Sequence, residues 1–137
     1  MGSKTIVYGF IELDPQFNQE NRQAFDACPF DAKYPFTNIF GTELPGYESS
    51  TVSFAGTFKS LIEDWNEWEI RFDQLLASLY CRSATVRMSD DVHGEFVIQY
   101  VCNDGWESTL QPYQRRWKKW KTDFDGLESE ENHLRQK

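Results

Sequence analysis

The chain of 137 residues suits one domain with a core large enough to fold without covalent staples, and is too short for two ordinary domains. Fourteen Lys and Arg against 22 Asp and Glu leave a formal charge of −8. That balance disfavours a polyanion as main ligand, because nucleic-acid binding draws on counterion release at a basic surface, and it suits a basic partner or plain solubility. Three cysteines, Cys28, Cys81 and Cys102, show no paired spacing and no CxxC, so neither a disulfide framework nor a zinc or redox motif is present. The first residues lack the charged-then-apolar pattern of a secretory signal, and no run approaches the ~20 apolar residues of a membrane span. A cytoplasmic protein with no membrane association is expected.

Eleven Phe, six Tyr and five Trp make the chain 16% aromatic. Such rings fill cores, and Tyr and Trp are also enriched where proteins meet partners. Residues 5–13 (TIVYGFIEL) predict a strand that is apolar on both faces, which suits a central position. Asp14-Pro15 then reads as an N-cap followed by a proline at the first helical position, opening a polar helix over 15–27. Its expected buried contacts are Phe17, Ala24 and Phe25. Residues 28–47 are punctuated by Pro29, Pro35, Pro45, Gly41 and Gly46, with Phe30, Tyr34, Phe36, Ile39 and Phe40 between them. A loop this long and apolar is read as packed on the core, with an aromatic contact surface as the alternative.

Residues 50–58 predict a second strand with a bulge at Gly56. Ser60-Leu61-Ile62-Glu63 matches the capping box at the start of a helix. In that helix Leu61, Trp65, Trp68, Phe72, Leu75 and Leu79 recur at steps of four and three, which places them on one stripe. Glu63, Asp64, Glu67, Glu69 and Asp73 lie mostly off the stripe and are expected to face solvent. Residues 82–88 and 94–102 alternate as half-buried strands joined by the short hairpin loop Ser89-Asp90-Asp91-Val92-His93, closed by Gly94. Beyond Pro112, the four-three spacing of Tyr113, Trp117, Trp120, Phe124 and Leu127 predicts a second amphipathic helix. It carries Arg115, Arg116, Lys118, Lys119 and Lys121. The favoured reading sets the aromatic stripe in the core and pairs the basic face with an acidic neighbour; nucleic acid, an anionic membrane and a partner groove are the alternatives.

The resulting order predicts an α+β single domain over 4–127, followed by a polar tail over 128–137. A mainly antiparallel sheet should carry the long amphipathic helix on one face, together with a C-terminal helix. Little catalytic chemistry is legible. The two histidines, His93 and His133, fall in a turn and in the tail. A Cys81 or Cys102 nucleophile beside His93 is the enzymatic alternative, against simple packing of both thiols. Asp90, Asp91 and His93 share one turn without further ligands at a diagnostic spacing, so neither metal nor cofactor is expected. No phosphate-cradling loop, GxSxG or HExxH occurs.

YPFTNIF, PGYESS, SFAGTFKSL, EDWNEW and RFDQLLASL, all within residues 34–80, resemble the small acidic immunity proteins encoded beside bacterial polymorphic and contact-dependent toxins. The resemblance implies a cytoplasmic, non-enzymatic inhibitor, with many such proteins covering the basic cleft of a cognate nuclease. No functional residue carries over from it. The residues themselves offer candidate contacts for a basic protein partner: Glu63, Asp64, Glu67, Glu69 and Asp73 on the helix, and Asp90 and Asp91 on the hairpin. Tyr47 and Glu48 on the loop would complete the rim. An acidic anti-defence or DNA-mimic protein, or a small cysteine or carboxylate enzyme, are the other readings.

Overall fold

A computed structural model describes residues 3–41, 50–104, 110–123, 128–131 and 134. Eight elements follow in order: β1 (Lys4–Leu13), α1 (Asn18–Ala27), β2 (Thr51–Lys59), α2 (Trp65–Ala77), β3 (Cys81–Asp90), β4 (Gly94–Cys102), β5 (Trp117–Thr122) and β6 (Glu128–Glu131). Short 3-10 turns precede α1, α2 and β5. The strands form one antiparallel sheet in the order β2-β1-β3-β4-β5-β6. The expected α+β class and the long helix on one sheet face are both present.

The doubly apolar β1 takes an interior place. Val7 and Ile11 are fully buried on one face, whereas Phe10 on the other is 41% exposed. Every residue of the α2 stripe is buried: Leu61, Trp65, Trp68, Phe72, Leu75 and Leu79. They meet Val7, Phe54, Val86, Met88, Ile98 and Tyr100 from the sheet in one cluster. The proline-punctuated segment packs on the same face, as its apolar composition predicts. Phe36 and Phe40 are buried, with Phe36 5.5 Å from Trp68 and Phe40 5.0 Å from Phe54 between ring centroids. α1 joins this layer through Phe25, 5.9 Å from Phe40. Its buried Asn21 clamps the start of β3, donating to the Tyr80 carbonyl and accepting from the Tyr80 N–H. No described helix covers the opposite face of the sheet.

Three local expectations are corrected. The capping box does not form, because Ser60 lies in the left-handed region at φ 60° and its N–H bonds to Ser3 O at 2.7 Å. Leu61–Asp64 is a 3-10 turn, and α2 starts at Trp65. Gly56 is no bulge: β1 and β2 pair without interruption from Lys4↔Lys59 to Glu12↔Thr51, and the glycine instead leaves room for Ile39 and Phe58.

The third correction is the largest. Where a C-terminal helix is predicted, the described residues form a 3-10 turn at Pro112–Gln114 and then strand β5. Trp117 and Trp120, three apart, point to opposite sides of that strand; Trp117 is buried and Trp120 half-buried. The strand wins because β4 offers an unpaired edge and because Lys119, on the inner face, meets carboxylates there. The acidic segment read as tail supplies β6, which sets Glu131 opposite Lys119. Opposite charges across a ladder stabilise it, and a short charged edge resists further pairing.

Gly9 marks a close approach of β1 to β3. A Cβ there would lie 1.9 Å from Thr85 O on β3 and 2.9 Å from the Phe54 ring. Gly9→Ala should force β1 and β3 apart and cost about 1–3 kcal/mol, as overpacking does. A urea melt that superposes on the parent would show that the sheet yields freely here.

Candidate binding surface at the acidic end of the sheet

The register gathers six segments at one end of the sheet. Lys4 of β1 pairs with Lys59 of β2, Thr5 with Asp90 of β3, Asp90 with Gly94 of β4, Val97 with Thr122 of β5, and Thr122 with Glu128 of β6. The turn after β2 and the first turn of α2 sit at this same end, fixed by the bond from Ser60 N to Ser3 O and by Trp65 against Phe96. Among the sequence-predicted contacts, Glu63, Asp64, Glu67 and Asp91 are brought together here. Glu63 and Asp91 are exposed, and Asp64 and Glu67 half-buried. Asp64 accepts a hydrogen bond from the Tyr34 hydroxyl. Glu95, Asp123 and Glu128, which sequence reasoning did not single out, share this end. Glu95 pairs with Arg87 at 3.2 Å. The signal that finds Asp123 and Glu128 is the acidic ESEE segment after a basic strand, since pairing those two folds both residues beside the hairpin.

Asp90 belongs to the scaffold. Its side chain is fully buried and accepts from Ser3 Oγ at 2.7 Å, Thr5 Oγ1 at 2.9 Å, and the N–H groups of Val92 and His93 at 3.0 Å. His93 Nδ1 stands 2.9 Å away. Burial alone would raise its pKa, but the hydrogen bonds from Ser3, His93, Val92 and Thr5 outweigh that and hold the carboxyl well below the usual range. A depressed folded-state pKa means its stabilisation is full above the unfolded value of ~3.9 and is lost as pH falls below it. Asp90→Asn should therefore cost about 1–3 kcal/mol at neutral pH. The gap from the parent should close in acid-range melts, and a gap independent of pH would contradict this assignment.

Glu69 and Asp73 are not presented to solvent. Both are buried, with Glu69 Oε2 2.6 Å and Asp73 Oδ2 2.7 Å from Nζ of the fully buried Lys119. Lys121 Nζ reaches Glu69 at 2.7 Å and Glu131 at 3.2 Å. Tyr100 donates its hydroxyl to Asp73 Oδ1 at 2.7 Å. Burial raises the Glu69 pKa, yet the charges and hydrogen bonds of Lys119 and Lys121 prevail and hold it low. Burial, then the charge of Asp73, pushes the Tyr100 hydroxyl well up, so it stays a donor. The basic stretch of the sequence is thereby accounted for in part: Lys119 and Lys121 tie β5 to α2. Tyr47 and Glu48 lie outside the described residues.

The thiol chemistry considered above does not assemble. Cys81 and Cys102 lie at the far end of β3 and β4 from His93, a strand of ten or nine residues at ~3.3 Å each. Burial pushes the Cys81 thiol far up, the opposite of what a nucleophile needs. Among the described residues no group of three His, Cys, Asp or Glu side chains is placed to hold a metal ion. Nor is any described helix long and apolar enough to cross a membrane.

Two clefts flank α2. One of 210 Å³ lies between α1, the loop and α2, with Ala24, Cys28, Phe36, Arg71 and Leu75 in its lining. The other, of 520 Å³, opens at the acidic end between α2, β4 and the β5–β6 pair. No family model, curated protein or solved structure matches the chain.

Proposed function

We propose that the protein is a non-enzymatic binding protein that neutralises a basic protein, a bacterial toxin domain, by covering its functional surface with the acidic end of the sheet. The observation that carries this reading is the convergence of Glu63, Asp64, Glu67, Asp91, Glu95, Asp123 and Glu128 from separate segments onto one end of the fold. Lys4, Lys59, Arg87 and Lys121 lie at that end too, but the seven acids outnumber them. Such a surface steers a cationic partner into encounter and disfavours acidic ones. The resemblance of residues 34–80 to immunity proteins points the same way.

The test uses Glu63→Lys/Glu95→Lys, which reverses two exposed charges on different elements. Losing the exposed Arg87–Glu95 pair should hardly affect stability, and circular dichroism checks that the variant stays folded. Cells expressing a basic toxin domain that the parent binds should be rescued by the parent and poorly by the variant. Equal rescue by both proteins would remove this end as the interface.

A further inference from the structure

We propose that the open face of the sheet, opposite α2, docks a second copy of this chain, sheet on sheet about a twofold axis parallel to the strands. This goes beyond the binding reading above and does not depend on it. Alternation along the strands puts Ile6, Tyr8 and Phe10 of β1, Val97 and Val101 of β4, and Trp120 of β5 on that face, all of them half-buried or exposed. Phe10 and Val101 each remain 41% exposed. Apolar surface gathered on an uncovered sheet face marks an interaction site. At ~3.3 Å per residue and ~4.8 Å between strands, the six strands present about 700 Å² per copy, close to the ~800 Å² that each partner gives to a stable interface.

The face is complementary to itself. The order β2-β1-β3-β4-β5-β6 centres between β3 and β4, so full overlap of two sheets about that axis lays β1 of one copy over β5 of the other. Phe10, Thr85, Gln99 and Trp120 form one row across the sheet, and Glu12, Ser83, Val101 and Lys118 form the next. The axis therefore sets Phe10 against Trp120 and Glu12 against Lys118, twice each. Aligned sheets cross at about 30°, which displaces a β1 residue by only about half a row. Glu12 is held by Arg82 at 3.2 Å, yet its side chain stays 41% exposed, and Lys118 is exposed.

Shape agrees with charge. A hollow of 240 Å³ beside Trp120, lined also by Gln99, Thr122 and Glu128, lies where Phe10 of the second copy arrives. A ring seated there would stack near the Trp120 indole, with the Glu12–Lys118 pair one row away. Single-stranded nucleic acid also stacks on aromatic sheet faces. Here Glu12, Glu95, Glu128 and Glu130 stand on the face of a chain whose net charge is −8, and they repel phosphates. A surface that carries both signs in matching rows suits its own copy better.

Sedimentation equilibrium of the full chain over a concentration series tests this. The parent should form a dimer with a micromolar or tighter Kd. Phe10→Ser and Lys118→Glu, both at exposed positions and checked for fold by circular dichroism, should each weaken it about tenfold or more, because each change acts twice. Glu12→Lys should do the same, and Glu12→Lys/Lys118→Glu, which restores opposite charges across the axis, should recover most of the loss. If Glu12→Lys unfolds for want of its Arg82 pair, Phe10→Ser and Lys118→Glu decide alone. A parent that stays monomeric at millimolar concentration, a dimer that neither of those two variants weakens, or a folded double variant no tighter than its singles would each overturn the proposal. So would a monomeric parent that binds an oligouridylate probe and loses it in Phe10→Ser, which would assign the face to nucleic acid.

Discussion

Lys119→Ala is expected to destabilise the protein by about 3–5 kcal/mol, because removing one member of a buried ion cluster strands the others. The Lys119 ammonium sits between Glu69 at 2.6 Å and Asp73 at 2.7 Å, with all three side chains almost wholly removed from water. Lys121, which reaches Glu69 at 2.7 Å, could neutralise only part of the charge left behind. The test of cause is a compensating variant. Lys119→Met combined with Glu69→Gln and Asp73→Asn removes the stranded charge and should recover much of the loss, as apolar or neutral replacement of buried ion pairs often does. Urea melts would show the midpoint falling at unchanged slope for the single variant and returning for the triple one. A single variant as stable as the parent would mean that the cluster contributes nothing to the fold.

Phe72→Ala should cost a similar ~3–5 kcal/mol, for a different reason. The ring is fully buried and stands where the aromatics of the helix, the sheet and the loop meet: 5.1 Å from Trp68, 5.6 Å from Phe54 and Tyr100, and 6.1 Å from Phe40. Its loss removes transfer energy and leaves a cavity that four rigid rings cannot easily close. Trp68→Ala, equally buried and stacked on Trp65 at 4.9 Å, should behave alike. Thermal and urea melts decide both, and shifts near zero would place the stripe outside the core.

Where the hydrophobic period was long and unmixed, the fold was legible. The α2 stripe, the interior β1 and the β3–β4 hairpin follow from spacing alone. β5 did not, because a four-three repeat of Trp117 and Trp120 satisfies a helix, and nothing local announces that β4 needs an edge partner. Glu69 and Asp73 misled for a related reason. They flank the stripe, and whether a flank meets water depends on what lies across it; here β5 brings Lys119 to that place. Asp90 read as a surface acid because its acceptor role depends on Ser3 and Thr5, which are distant in sequence. The acidic end itself was half legible. Glu63, Asp64, Glu67 and Asp91 could be picked from their elements, but Asp123 and Glu128 join them only through the β5–β6 register.

The binding account is tested most directly by the association rate with a basic toxin domain of the kind proposed as partner, followed by stopped flow across ionic strength. The parent rate should fall steeply as salt shortens the screening length to ~8 Å at physiological strength. Glu63→Lys/Glu95→Lys, still folded, should associate about tenfold or more slowly at low salt, with a flatter salt dependence. Identical rates and identical salt dependence for the two proteins would contradict recognition through the acidic end.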